Sequence, residues 1–158
     1  MQICNLLVTE DLLRLLSENI HRLPFESRKD TQTIVSNVFR FRQPGNSTTE
    51  PVALQYVIAN RPDIIISLCH GYDRRESAMP CGGILKEALK HDAVTALVLY
   101  HEPNEDGSFP DLNAIDTSKP ASGKGVFWKF FDWIDKSLFE VSTDAFDTFR
   151  VRTIPVSL

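Results

Sequence analysis

From Phe127 to Arg150 the chain carries more than half of its ten phenylalanines and both tryptophans, without a cysteine or histidine. Phe127, Phe130, Phe131 and Ile134 recur at i, i+3, i+4 and i+7, the spacing of one helical stripe. Ser137 then opens a Ser-x-x-Glu capping box with Glu140, so a second helix can start almost at once. Leu138, Val141, Ala145 and Phe149 form its expected buried stripe, with Phe139 and Phe146 about 100° round from it. Two such faces cannot satisfy each other alone, and the remaining segments have to cover them.

Those segments are also helical in pattern. Thr9-Glu10-Asp11 leads into Leu12, Leu13, Leu16 and Ile20, an N-cap with an acidic first turn ahead of an apolar stripe, which Pro24 ends. Ile34, Val35, Val38 and Phe39 define a second helix, and the Pro/Gly/Asn/Ser/Thr cluster of residues 43–49 is a loop. Pro51 suits the first turn of a third helix carrying Val52, Ala53, Tyr56 and Val57. Pro62 restarts the pattern; Ile64, Ile65 and Leu68 run to an expected Gly71 C-cap. The Ile64-Ile65-Ile66 run would also suit a strand, but no alternating segment exists to pair with it. Arg75 to His91 reads as a helix bent or interrupted near Pro80 and Gly82-Gly83, with Ile84, Leu85, Ala88 and Leu89 inward. Asp92 caps a successor bearing Ala93, Val94, Ala96, Leu97 and Leu99. The shared spacing of Asp63-Ile64-Ile65 to Leu68 and Asp92-Ala93-Val94 to Leu97 faintly suggests stacked units. Residues 101–125 are acidic and rich in proline and glycine, which predicts a disordered loop. The β-branched tail after Arg150, broken by Pro155, predicts that the last helix stops there.

With 158 residues, 42% of them hydrophobic, one domain with a sizeable core is expected. The net charge of -4 argues against nucleic acid, because no basic stripe is present. The chain start lacks a basic leader region, and no apolar run approaches a membrane span, so neither a signal peptide nor membrane insertion is expected. Three unpaired cysteines suit the reducing cytosol, giving a cytoplasmic assignment.

Motifs for chemistry are poor. Cys69-His70 places a thiol beside an imidazole, but adjacent helical residues point about 100° apart, and a buried structural cysteine is the favoured reading. A small cysteine-dependent enzyme built on Cys69 or Cys81 is the rival. The four histidines have no zinc-site spacing. Residues 119–125 fail as a phosphate loop, with Ser118 where its first glycine belongs and Gly125 where its hydroxyl belongs. From Asp111, Ile115 and Asp116 break a calcium loop at a ligand and at its turn glycine. No cofactor and no metal are expected. Phe139, Phe146, Trp128 and Trp133 lie off the main stripes, to be covered by another helix or left as an interface patch.

Several segments together resemble one family. They are Leu23-Pro24-Phe25-Glu26-x-Arg28-Lys29-Asp30, Gly71-Tyr72, Cys81-Gly82, Leu85-Lys86-Glu87 with Lys90-His91, and Phe127-Trp128-Lys129-Phe130-Phe131. The most specific is Phe139-Glu140-Val141-Ser142-x-Asp144-Ala145-Phe146-x-Thr148-Phe149-Arg150. In consistent order over about nine-tenths of the chain, they resemble the calcium-binding protein 39 (Mo-twenty-five) family of helical-repeat scaffolds. Asp132-Trp133-Ile134-Asp135 and the Pro-rich insertion are similar to its fungal, HymA-like branch, named for conidiophore development. The resemblance implies an all-α, armadillo/HEAT-like solenoid without catalysis. It implies protein partners: kinases or pseudokinases of the Ste20/germinal-centre group, held active during polarised growth and morphogenesis. Phe139 matches a concave-surface phenylalanine that family scaffolds set against the kinase. The family's later helices, with their pocket for a partner's C-terminal tripeptide, have no counterpart here, and the tail from Val151 matches nothing. The expectation is a truncated, partial solenoid, with Val151-Arg152 reading as a translated splice donor; a non-functional truncated product is the other alternative.

Overall fold

A computed structural model describes residues 11–42, 51–102, 122–135 and 138–153. Among them lie eight α-helices, two short 3-10 turns and no strand. The helices are α1 (Leu12–Asn19), α2 (Phe25–Arg40), α3 (Val52–Asn60), α4 (Pro62–His70), α5 (Arg75–Ala88), α6 (Asp92–Tyr100), α7 (Val126–Ile134) and α8 (Phe139–Thr153). The triple isoleucine at 64–66 is helical and wholly buried. Isoleucine tolerates a helix when burial of its side chain outweighs its lost χ1 freedom.

The packing follows a rule of three. α1 packs on α4, α2 on α5, α3 on α6, α4 on α7 and α5 on α8. That is how stacked units of about three helices meet: each helix touches its counterpart in the next unit. α5 is the hub, with its widest contacts to α2 and α8, and one continuous core runs from Leu13 to Ala145.

Of the bend or interruption expected near Pro80, the interruption is absent: α5 runs continuously from Arg75 to Ala88. A proline inside a helix removes an N–H, which leaves the carbonyl four residues earlier without its partner. Here that carbonyl belongs to Glu76, and the Arg28 guanidinium of α2 donates to it at 2.7 Å while also donating to the Leu23 carbonyl at 3.0 Å. The two glycines that follow are points of close approach. A Cβ at Gly82 would collide with the Asp144 carboxylate and the Tyr72 hydroxyl, and one at Gly83 would meet only the flexible end of Gln32.

Other expectations shift by a fraction of a turn. Ile34 is 51% exposed, and Thr31 takes its place on the buried face of α2. Leu12 and Tyr56 also face outward. Gly71 is the C-cap of α4 as expected, but in right-handed helical backbone at φ -53° and not the left-handed form; a Cβ there would strike Cys81. Asp92 lies in the first turn of α6, and His91 holds the N-cap position. On α7 the buried residues are Val126, Phe130 and Trp133, with Phe131 turned out. α8 runs to Thr153, three residues past the expected stop at Arg150.

The Ser137 capping box, Thr9-Glu10, Cys4 and residues 103–121 of the expected acidic loop lie outside the described residues. The loop's described ends are tied together: the Ser122 amide donates to Glu102 Oε1 at 3.0 Å, and the Ser122 hydroxyl to the same carboxylate.

Candidate protein-docking site

Phe139 is 81% exposed, the barest large apolar side chain among the described residues. It opens α8, so its direction is set by how α8 is held. Val141 and Ala145 anchor the helix in the core, and a buried polar cluster fixes it one and two turns further on. The Tyr72 hydroxyl donates to Asp144 Oδ2 at 2.6 Å and shares a 2.7 Å hydrogen bond with the Thr148 hydroxyl. Lys86 of α5 supplies the opposite charge to the other Asp144 oxygen. Burial, with the Asp144 charge, pushes the Tyr72 phenol well above its ordinary value, so it stays a donor. Tyr72, α5 and α8 are thereby locked at one point, and Phe139 is presented from a rigid base.

Beside Phe139 runs a groove of about 520 Å³ between the start of α2, the first half of α5 and the first turn of α8. Phe25, Arg28, Lys29, Arg75, Met79 and Glu140 line it, and Phe25 and Met79 are 65% and 49% exposed. Arg75 and Glu140 pair across it at 3.6 Å. Both side chains are mostly in water, so the pair adds little to stability. Residue patterning set Phe139 among four off-stripe aromatics, the family resemblance singled it out, and neither pointed to the groove. The available signal was Phe25, an aromatic placed immediately after Pro24 at a helix start, off the apolar stripe of its own helix.

The other sequence candidates separate by burial. Trp133 is fully buried, donates its indole N–H to Asp73 Oδ1 at 2.8 Å and packs on Tyr72, Phe130 and His70. Trp128 and Phe131 stay 41% and 48% exposed and stack on each other, with Phe127 and Phe149 beneath them. Phe146 is exposed, with Arg150 over its ring.

Cys69 and Cys81 are both buried, which runs against the enzyme rival. Burial, and then the neighbouring Cys81, raises the Cys69 thiol far above its usual range, and burial pushes Cys81 up to about 12. A nucleophilic thiol needs the reverse shift. The His70 ring is engaged by Asp73 at 2.9 Å. Among the described residues no cluster of three or more His, Cys, Asp or Glu side chains could hold a metal ion, and no helix is long and apolar enough to cross a membrane.

The sequence pattern of the Mo25-like family matches residues 1–153. The chain belongs to the Mo25-like family. Among relatives, it is 50% identical over 141 residues to the conidiophore development protein hymA of Emericella nidulans, a match that takes in 89% of this chain and 37% of the relative. It is 31% identical over 140 residues to MO25-like protein 2 of Caenorhabditis elegans (89% of this chain, 33% of the relative). With the human calcium-binding protein 39-like protein it shares 27% over 149 residues (94% and 36%). The chain thus spans about a third of the length of the relatives it matches. As a Mo25-like chain it is an all-α, armadillo/HEAT-type solenoid segment, and its rule-of-three packing is the physical content of that description.

Proposed function

We propose that this Mo25-like chain is a non-catalytic scaffold that binds protein kinases or pseudokinases of the Ste20/germinal-centre group through the surface around Phe139 and favours their active conformation. The observation that carries the proposal is Phe139 itself: a large aromatic, 81% exposed, on a helix held rigidly by the Tyr72–Asp144–Thr148 cluster. An aromatic kept in water on a preorganised base loses little entropy on docking, the profile of an interface hot spot. The proposed setting is polarised growth and morphogenesis in the cytoplasm; similarity to a relative named for conidiophore development supports its morphogenetic part. A scaffold acts by differential binding. Preferring the active kinase conformation about a hundredfold shifts that equilibrium by about 2.7 kcal/mol, enough to switch a poised enzyme.

The test is co-precipitation of this chain with a Ste20-type kinase, alongside a Phe139→Ala variant and a longer relative as control. Wild-type capture is expected, with F139A lowering it about tenfold. Capture by the longer relative but not by this chain would place the affinity in the part of the relative outside the stretch matched here. Unchanged capture by F139A would remove Phe139 from the interface.

A further inference from the structure

Only 6% of His101 is exposed, at the point where α6 ends and the chain returns to begin α7. The residue is the C-cap of α6, its N–H donating to the Leu97 carbonyl at 3.0 Å. Its own carbonyl lies against Gly125, the N-cap of α7, so closely that a Cβ there would collide with it. The next residue, Glu102, accepts from the Ser122 amide and hydroxyl. The end of α6 and the start of α7 thus meet backbone to backbone, with a buried imidazole at their junction. Burial above all holds that imidazole below its ordinary value. Of the charged groups acting on it, Glu102 works against the shift. His70, at the end of α4 and held by Asp73 at 2.9 Å, works with it.

We infer that His101 is a pH-sensitive latch: neutral, it lets the end of α6 close on the start of α7, and on protonation it opens that junction while the α2–α5–α8 stack stays folded. A charged imidazole is poorly tolerated where water is excluded, so protonation is accommodated by letting water in. The opening stays local because of where the contacts lie. α5 holds α2 and α8 by the widest contacts in the molecule, whereas α6 is a nine-residue helix with thinner ones to α3, α4 and α7. Linkage fixes the sign. A histidine whose folded value lies below its unfolded value of about 6.5 supports the closed form above that pH, and the support is lost as pH falls beneath it. Glu87, at about 2 in the fold, titrates well below this window. Nothing in the latch depends on kinase binding.

Hydrogen exchange of the whole chain at about pH 7 and about pH 5, each rate normalised to the intrinsic rate at that pH, reads the latch directly. Protection of the amides of residues 98–101 and 128–131 should fall at the lower pH by at least about fivefold. The fall should not exceed about thirtyfold, the ceiling for one imidazole of ordinary value, about 6.5, in the open form. Amides of residues 81–88 in α5 should stay within about twofold. His101→Gln, neutral at both pH values, should lose the response. His21→Gln, which removes another imidazole that burial holds low, should keep it. The His101 ring, followed by the NMR shift of its Cε1 proton, should titrate below about 6.5. A ring midpoint at or above that value, equal protection at the two pH values, or an undiminished response in H101Q overturns the latch. If H101Q is open at both pH values, the wild-type chain decides: protection lost between about pH 6.5 and the ring's own midpoint upholds the latch, and loss confined outside that range overturns it.

Discussion

At the scale of single residues, Gly82 and Gly83 make a controlled pair. They are neighbours on α5, so any difference between their alanine variants comes from what each faces. Gly82 faces the Asp144 carboxylate and the Tyr72 hydroxyl, held by hydrogen bonds that also involve Thr148 and Lys86. A methyl group there has to break or displace that cluster, and Gly82→Ala should cost about 2–3 kcal/mol. For a domain of this size the melting temperature should fall by roughly 5–10 °C. Gly83 faces only the tip of Gln32, which can swing into solvent. Gly83→Ala should be neutral or gain up to about 1 kcal/mol from helix propensity. Thermal melts of the two variants check the contrast, and equal losses would mean that the polar cluster does not constrain α5 against α8.

At the scale of helices, the join between α2 and α5 is both apolar and ionic, and the ionic part titrates. Glu87 is buried and accepts from Arg40 of α2 at 2.7 Å and from Lys90 at 2.8 Å. The Arg40 hydrogen bond, outweighing burial and aided by Lys90, lowers its carboxyl to about 2. A carboxylate held below its unfolded value stabilises the fold at pH above the unfolded pKa. That contribution disappears as pH drops from about 5 toward about 2. Arg40 and Lys90 are largely in water, which reduces the expected contribution to on the order of 2 kcal/mol. Glu87→Gln should therefore lose about that much stability at neutral pH and converge with wild type near pH 2. Urea unfolding from pH 7 to pH 2.5 tests this, and parallel stability curves would refute it. The same join marks what the sequence could tell. The existence and order of the helices were legible because apolar spacing and proline punctuation act locally. Pro80 was legible as a difficulty, but its remedy was not, because Arg28 lies 48 residues before the Glu76 carbonyl it serves. Trp133 was hard to place for the same reason, its indole partner Asp73 being 60 residues away. Ile34 and Leu12 point outward because a stripe shows which residues share a face, and only the neighbouring helices decide how much of it is covered. Phe139 was visible as an off-stripe aromatic; the groove beside it was not, since α2, α5 and α8 make it together.

For the whole molecule the question is whether stacked units melt as one or separately. Nearest-neighbour stacks lose cooperativity when the junctions are weaker than the units. Here α5 contacts both α2 and α8, one apolar core runs through every helix from α1 to α8, and the Tyr72 cluster bonds the 3-10 turn after α4 to α8. Junctions of that kind are costly to open, so the chain should unfold as a single cooperative unit. Trp133 provides the local probe. It is buried among Tyr72, Phe130 and His70 and bonded to Asp73, so its emission reports the junction of α7 with the end of α4. Trp128, already partly in water, has much less to report on unfolding, and a Trp128→Phe variant isolates the Trp133 signal. The red shift of Trp133 emission and the loss of helical ellipticity at 222 nm should share one midpoint in urea, and calorimetric and van't Hoff enthalpies should agree. Helical signal that outlasts the Trp133 transition would mean that the α7–α8 unit opens before the rest. Phe139 would then stand on a separately melting element, and the rigid presentation on which its role as a docking residue depends would be lost.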